Sequence, residues 1–133
     1  ALDMLQAMNT GHDGSMTTIH ANNTDDVLRR LEILVLMAVE LPVISIQRQI
    51  ASAVDIVVQI TRMPGGKRCV TQISEVAGYD PDRNGLIVTD IYSFRDGQHL
   101  RPTGYMPTFV DSLIEKDLLK LEFLYGDMAT PAD

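Results

Sequence analysis

The sequence predicts a mixed α/β domain, with helices packed on a sheet, then an antiparallel meander and a terminal helix. Three observations carry this expectation. Apolar residues recur at helical spacing between Val27 and Ala53. From Val54 onward they alternate, broken by the turn clusters Met63-Pro64-Gly65-Gly66-Lys67 and Asp80-Pro81-Asp82-Arg83-Asn84-Gly85. The 133 residues suffice for one domain with one core.

Residues 1–9 place Leu2, Leu5 and Met8 at helical spacing, and Gly11 suits the position just past a helix end. Residues 16–21 read as a short buried strand. Asn22-Asn23-Thr24 offers capping side chains, with Asp25 and Asp26 where a helix dipole favours negative charge. The helix that follows has a stripe of Val27, Leu28, Leu31, Leu34, Val35 and Ala38. Ile33, Leu36 and Met37 fall outside it, so the second half should be buried nearly all round, with Met37 filling core.

Pro42 punctuates, and Val43–Ala53 reads as a second helix. Val43, Ile46, Ile50 and Ala53 should face inward, and Gln47, Arg48 and Gln49 outward. Residues 54–62 read as a strand with Val54, Ile56, Val58 and Ile60 on one apolar face and Asp55, Val57, Gln59 and Thr61 on a mixed one. A hairpin leads into strand 68–79, and Asn84-Gly85 turns into strand 86–95. Asp96-Gly97 turns into a weaker strand, 98–105. Pro107 suits the first position of a helix to about Lys116, with Phe109, Val110, Leu113 and Ile114 on one side. Residues 118–125 read as a further helical turn or two, and 126–133 as a flexible tail.

Net charge is −7, which disfavours nonspecific binding to nucleic acid. A single cysteine, Cys69, excludes an internal disulfide. No run of about 18 apolar residues suggests a membrane span. No Gly-x-Ser-x-Gly elbow supports serine hydrolase chemistry. Glu32, Glu40 and Glu75 show no paired arrangement of the glycosidase kind.

Chemistry concentrates in Thr10-Gly11-His12-Asp13-Gly14-Ser15-Met16-Thr17-Thr18-Ile19-His20-Ala21-Asn22. Two glycines let the backbone approach a ligand, the hydroxyls of Ser15, Thr17 and Thr18 are donors, and His12 and His20 add imidazoles. An imidazole at a strand end can donate to a phosphate oxygen or hold a water near it. The plain alternative is a polar turn before a strand with a structural histidine. His12, Asp13 and His20 could ligate zinc, but they lack the paired Cys/His spacing of such sites, so no metal is expected.

Gly11-His12-Asp13-Gly14-Ser15 followed by Thr18-Ile19-His20-Ala21 resembles the histidine box of hexameric type II and type IV secretion and pilus-assembly ATPases. The likeness is nearest to the CpaF-like, Flp/tight-adherence branch. Ala7-Met8-Asn9-Thr10, Ala53-Val54-Asp55-Ile56-Val57-Val58-Gln59 and Glu75-Val76-Ala77-Gly78 fit the same family, in order, through about Phe94. The resemblance implies the C-terminal portion of a RecA-like P-loop ATPase domain. It implies His20 as a phosphate sensor or catalytic residue, and Gly11, His12, Gly14, Ser15, Thr17 and Thr18 as the nucleotide-binding loop.

It further implies ATP and Mg2+ in a parent enzyme, a hexamer, inner-membrane platform partners, and a cytoplasmic place at that membrane. The phosphate loop Gly-x-x-x-x-Gly-Lys-Ser/Thr does not occur in residues 1–133, and the chain opens at Ala1. It is therefore expected to be a C-terminal piece, inactive toward ATP alone. Arg29, Arg30, Arg48 and Arg62 are candidates for contacts between subunits, though a solvated face is the plain reading of each. The competing function is a non-enzymatic module whose meander and terminal helix dock a membrane-platform protein or a neighbouring subunit.

Overall fold

A computed structural model describes residues 16–38, 40–94 and 99–120. The predicted helix 1–9, the loop through Ser15, the Asp96-Gly97 turn and the tail 126–133 lie outside the described residues. The described elements are α1 (Thr24–Ala38), α2 (Val43–Ala53), β1 (Ile56–Arg62), β2 (Arg68–Asp80), β3 (Gly85–Ser93), β4 (Arg101–Pro102) and α3 (Val110–Glu115). The strands form one antiparallel sheet in the order β1-β2-β3-β4. The mixed α/β class expected from the sequence is present.

Asn23 starts α1. Its side-chain carbonyl accepts the Asp26 N–H at 2.9 Å, and its backbone carbonyl accepts the Val27 N–H at 3.1 Å. Asp25 and Asp26 occupy the first turn, as expected. The helix buries Leu28, Leu31 and Val35 against Ile46, Ile50 and Ala53 of α2 and Val57 and Val76 of the sheet. A Gln47 amide donating to Glu32 at 3.3 Å ties α1 to α2. The second half of α1 is not buried all round: Ile33, Leu34 and Leu36 are exposed, and Met37 is 79% exposed rather than filling core. The reason is that α2 and the sheet cover only one side of the helix. Val43, at the outer end of α2, is exposed as well.

It is the mixed face of β1, not the apolar one, that meets the core. Val57 and Gln59 are buried, whereas Ile56, Val58 and Ile60 are exposed. Hydrophobicity alone favours the second set, but α2 joins β1 through only Val54 and Asp55 and folds straight back onto the sheet. That short connection decides which face the helices cover. Val54 belongs to the helix end, where its N–H caps α2 by donating to the Ile50 carbonyl at 2.8 Å.

The first hairpin closes where predicted, with the Met63 N–H donating to the Lys67 carbonyl at 2.7 Å. Gly65 and Gly66 adopt φ values of 95° and 94°, which side chains disfavour. In the second turn Asn84 takes φ 51°, the left-handed geometry that Asn tolerates. The predicted strand 98–105 contracts to Arg101–Pro102. Pro102 has no N–H for a ladder, and Thr103 beyond it stays against β3, its N–H donating to the Ile91 carbonyl at 2.9 Å and its hydroxyl to the Asp90 carbonyl at 2.6 Å.

A second cluster closes the other face: Ile91 and Val110 are buried, with Ile73, Tyr92, Tyr105, Phe109 and Leu119 packed around them. Helix α3 is shorter than expected, starting at Val110 after a turn in which the Val110 N–H meets the Pro107 carbonyl at 3.2 Å. Ile114 is exposed, because only the Phe109–Val110–Leu113 side meets the sheet. Residues 118–120 are not helical, and 121–125 lie outside the described residues.

Candidate functional site

Residues 16–21 form no strand and pair with no ladder among the described residues. The buried strand expected there is replaced by an irregular, largely exposed segment in which Met16 is 95% exposed. A β-branched sequence becomes a strand only when a partner offers its backbone groups. Within the segment Ile19 is half-buried and packs on the main core, whereas Thr17, Thr18 and His20 are exposed.

His20 opens on a shallow pocket of about 240 Å³ with Ala21, Asn22, Asp26, Arg29, Arg30 and Ile33. The arginines sit one turn into α1, on the side turned toward the incoming segment. Neither makes an ion pair with another described residue. The pocket thus gathers an imidazole, two guanidiniums and an amide around a single carboxylate, Asp26. Planar guanidiniums with several N–H donors suit phosphate or carboxylate oxygens. Asp26 is engaged by the Asn23 amide at 3.3 Å, which moderates its negative field.

Of the residues assigned from the sequence, His20 lies at this pocket, and Thr17 and Thr18 lie on the segment leading to it. Gly11, His12, Gly14 and Ser15 lie outside the described residues. Arg29 and Arg30 join His20, but Arg48 and Arg62 do not line the pocket. Arg48 instead stacks over the Tyr79 ring at 5.4 Å, as a cation on an aromatic face. Among the described residues no group of three His, Cys, Asp or Glu could hold a metal ion.

Sequence reasoning missed the polar residues behind the pocket. Gln59 donates to the Ala21 carbonyl at 3.0 Å, and Ser74 and Thr24, both fully buried, bond through their hydroxyls at 3.0 Å. The signal for Gln59 was a polar residue alternating with valine on the mixed face of its strand.

A second cavity, about 460 Å³, is lined by Asp25, Gln72, Val88, Thr89, Asp90, Thr103 and Tyr105. Beside it the buried Glu75 carboxylate accepts the Tyr105 hydroxyl at 2.7 Å and the Thr108 N–H at 3.0 Å, with the Thr108 hydroxyl as a third donor. Burial, reinforced by the Glu75 carboxylate, pushes the Tyr105 hydroxyl up to about 12.

The family model for type II/IV secretion system proteins matches residues 1–101. The chain is 41% identical over 93 residues to the conjugal transfer protein TrbB of Rhizobium radiobacter, a stretch covering 70% of this chain and 27% of that protein. It is 36% identical over 100 residues to the probable conjugal transfer protein TrbB of Sinorhizobium fredii, covering 75% of this chain and 30% of that one. The chain therefore spans less than a third of the length of these relatives. No helix among the described residues is long and apolar enough to cross a membrane.

Proposed function

Because the chain belongs to the type II/IV secretion system protein family, we propose that it forms the C-terminal part of a RecA-like ATPase motor whose His20 faces the terminal phosphate of ATP. The observation that carries this reading is the meeting of His20, Arg29 and Arg30 around one opening. These residues fit an anion: their N–H groups would hold phosphoryl oxygens and offset charge that grows during transfer. They do not fit the Mg2+ that accompanies ATP, since among the described residues Asp26 is the one carboxylate lining the opening and no acidic cluster surrounds it. When bound, ATP with Mg2+ supplies the bond whose hydrolysis drives the cycle.

His20 either senses the terminal phosphate or aids its hydrolysis, and Gly11, His12, Gly14, Ser15, Thr17 and Thr18 shape the loop beside it. Nucleotide contacts at a subunit boundary would favour one arrangement of a hexamer, which hydrolysis then releases. In this reading the parent works at the cytoplasmic face of the inner membrane with platform proteins, driving pilus assembly or protein secretion. The histidine-box spelling supports the CpaF-like, Flp/tight-adherence branch, while the names of the TrbB relatives support conjugal transfer. A docking role is favoured by the exposed apolar strip Ile56, Val58 and Ile60, which a motor subunit could also use.

His20→Ala in the full-length protein tests the proposal. ATP turnover should fall about 100-fold, the scale of one positioned acid or base, with an unchanged melting temperature because His20 is exposed. Wild-type turnover in a folded variant removes His20 from the mechanism.

A further inference from the structure

The segment carrying His20 has no strand partner among the described residues, yet the two residues after Ala21 lead straight into a buried helix start. Ile19 rests on the main core, and the remaining hold is polar. From β1, the buried Gln59 amide donates to the Ala21 carbonyl at 3.0 Å, immediately after His20. From β2 and β3 comes a closed ring. The Thr24 N–H donates to the Gln72 side-chain carbonyl at 3.3 Å, and the Gln72 amide donates to Asp90 at 2.8 Å. The Ser74 hydroxyl donates to the same Asp90 oxygen at 2.6 Å and meets the Thr24 hydroxyl at 3.0 Å.

We propose that Gln59, together with the Thr24–Gln72–Asp90–Ser74 ring, is a positioning clamp that sets His20 relative to Arg29 and Arg30. This rests on the reading of His20 given above. The argument is one of leverage. His20 lies just before the clamp and the two arginines lie just after it, on α1. Their relative placement is therefore set by how residues 21–24 sit on the sheet. Besides the Ala21 carbonyl, the Gln59 amide donates to the carbonyl of the next residue in its own strand, Ile60, at 3.3 Å. An apolar side chain at position 59 would serve the core equally well, since Val57 on the same face is buried in it. A buried amide costs desolvation unless it is bonded, so its place there is explained by the Ala21 carbonyl.

The test is steady-state ATP turnover by the full-length protein, comparing wild type, Gln59→Leu, His20→Ala and the double variant. Gln59→Leu keeps the volume and removes the donor. It should lower kcat about 2- to 10-fold, the scale of one amide–carbonyl bond, with KM within about twofold. On the His20→Ala background it should cost nothing further, because the clamp acts through the histidine. An equal loss on both backgrounds marks a general structural effect and overturns the proposal, as does wild-type kcat in Gln59→Leu.

If His20→Ala itself leaves turnover unchanged, the phosphate-facing reading falls, and amide hydrogen exchange then judges the clamp. Faster exchange across residues 16–23 in Gln59→Leu, with α2 unchanged, supports it. Unaltered exchange in residues 16–23 overturns it. Should Gln59→Leu fail to fold, Ser74→Ala breaks the ring and is read by the same criteria.

Discussion

The two faces of the sheet are closed in different ways. On one, six buried apolar side chains of α1 and α2 pack with Val57 and Val76 of the sheet. On the other, a six-residue helix and the turn before it form a smaller cluster, in which the described residues Ile91, Pro107 and Val110 are buried among half-buried neighbours, and a carboxylate adds to the hold. Glu75 gathers the Tyr105 hydroxyl, the Thr108 N–H and the Thr108 hydroxyl, drawing residues 105–108 onto the sheet. The first face is held by area removed from water, and the second by a few directional bonds. Apolar burial spreads stability over many contacts. A charged acceptor with three donors concentrates it in one residue.

That contrast can be broken from either side. The largest effect should come from Ile50→Ala, which empties a fully buried position between the helices and the sheet. It should cost about 2–5 kcal/mol, read as a lower urea midpoint for the whole domain. Glu75→Leu should come next, at about 1–3 kcal/mol, since it strands the donors of Tyr105 and Thr108. Its signature is regional: hydrogen exchange should quicken at Thr108 and through α3 while α2 stays protected. Equal loosening of both faces would show that they do not open separately.

Alkali should weaken the second face selectively. The Tyr105 hydroxyl titrates at about 12 in the folded protein against 10.0 ordinarily. Between those values the unfolded chain has lost a proton that the folded chain still holds. The Tyr105 contribution is therefore whole below pH 10 and is lost as pH rises toward 12. Melting temperature against pH should show this decline in the wild type, and Tyr105→Phe should remove it. The smallest effect belongs to Val58→Thr on the exposed strip, within about 0.5 kcal/mol by denaturant melting of this chain. A markedly larger loss would mean that the strip is covered in solution.

Reading the sequence recovered local features best. The Asn23 cap, the Gly65-Gly66 turn, the Asn84 turn and the buried Ile46–Ile50–Ala53 face of α2 are all where spacing and turn chemistry put them. Each depends on residues within about one turn of each other, so nearby sequence suffices. Choices that need a distant partner went otherwise. Among the described residues, 16–21 have the composition of a strand but no ladder, and Met37 has the size of a core residue but is exposed. The site divides in the same way. His20 stood out in its glycine- and hydroxyl-rich setting, whereas Gln59, Ser74 and Asp90 reach its neighbourhood from positions far along the chain and carry no local signature.

The order of helices and strands, the places where the backbone reverses and the histidine-bearing stretch were therefore determined by the chain's own neighbouring residues. Which side of β1 meets the helices was decided only by tertiary structure. Alternation distinguishes two faces but does not say which one the short Val54–Asp55 link will turn toward α2. The same holds for the clamp behind Ala21 and for the hold of Glu75 on residues 105–108, because a hydrogen bond between residues some 30 to 50 positions apart exists only once the sheet has brought them together.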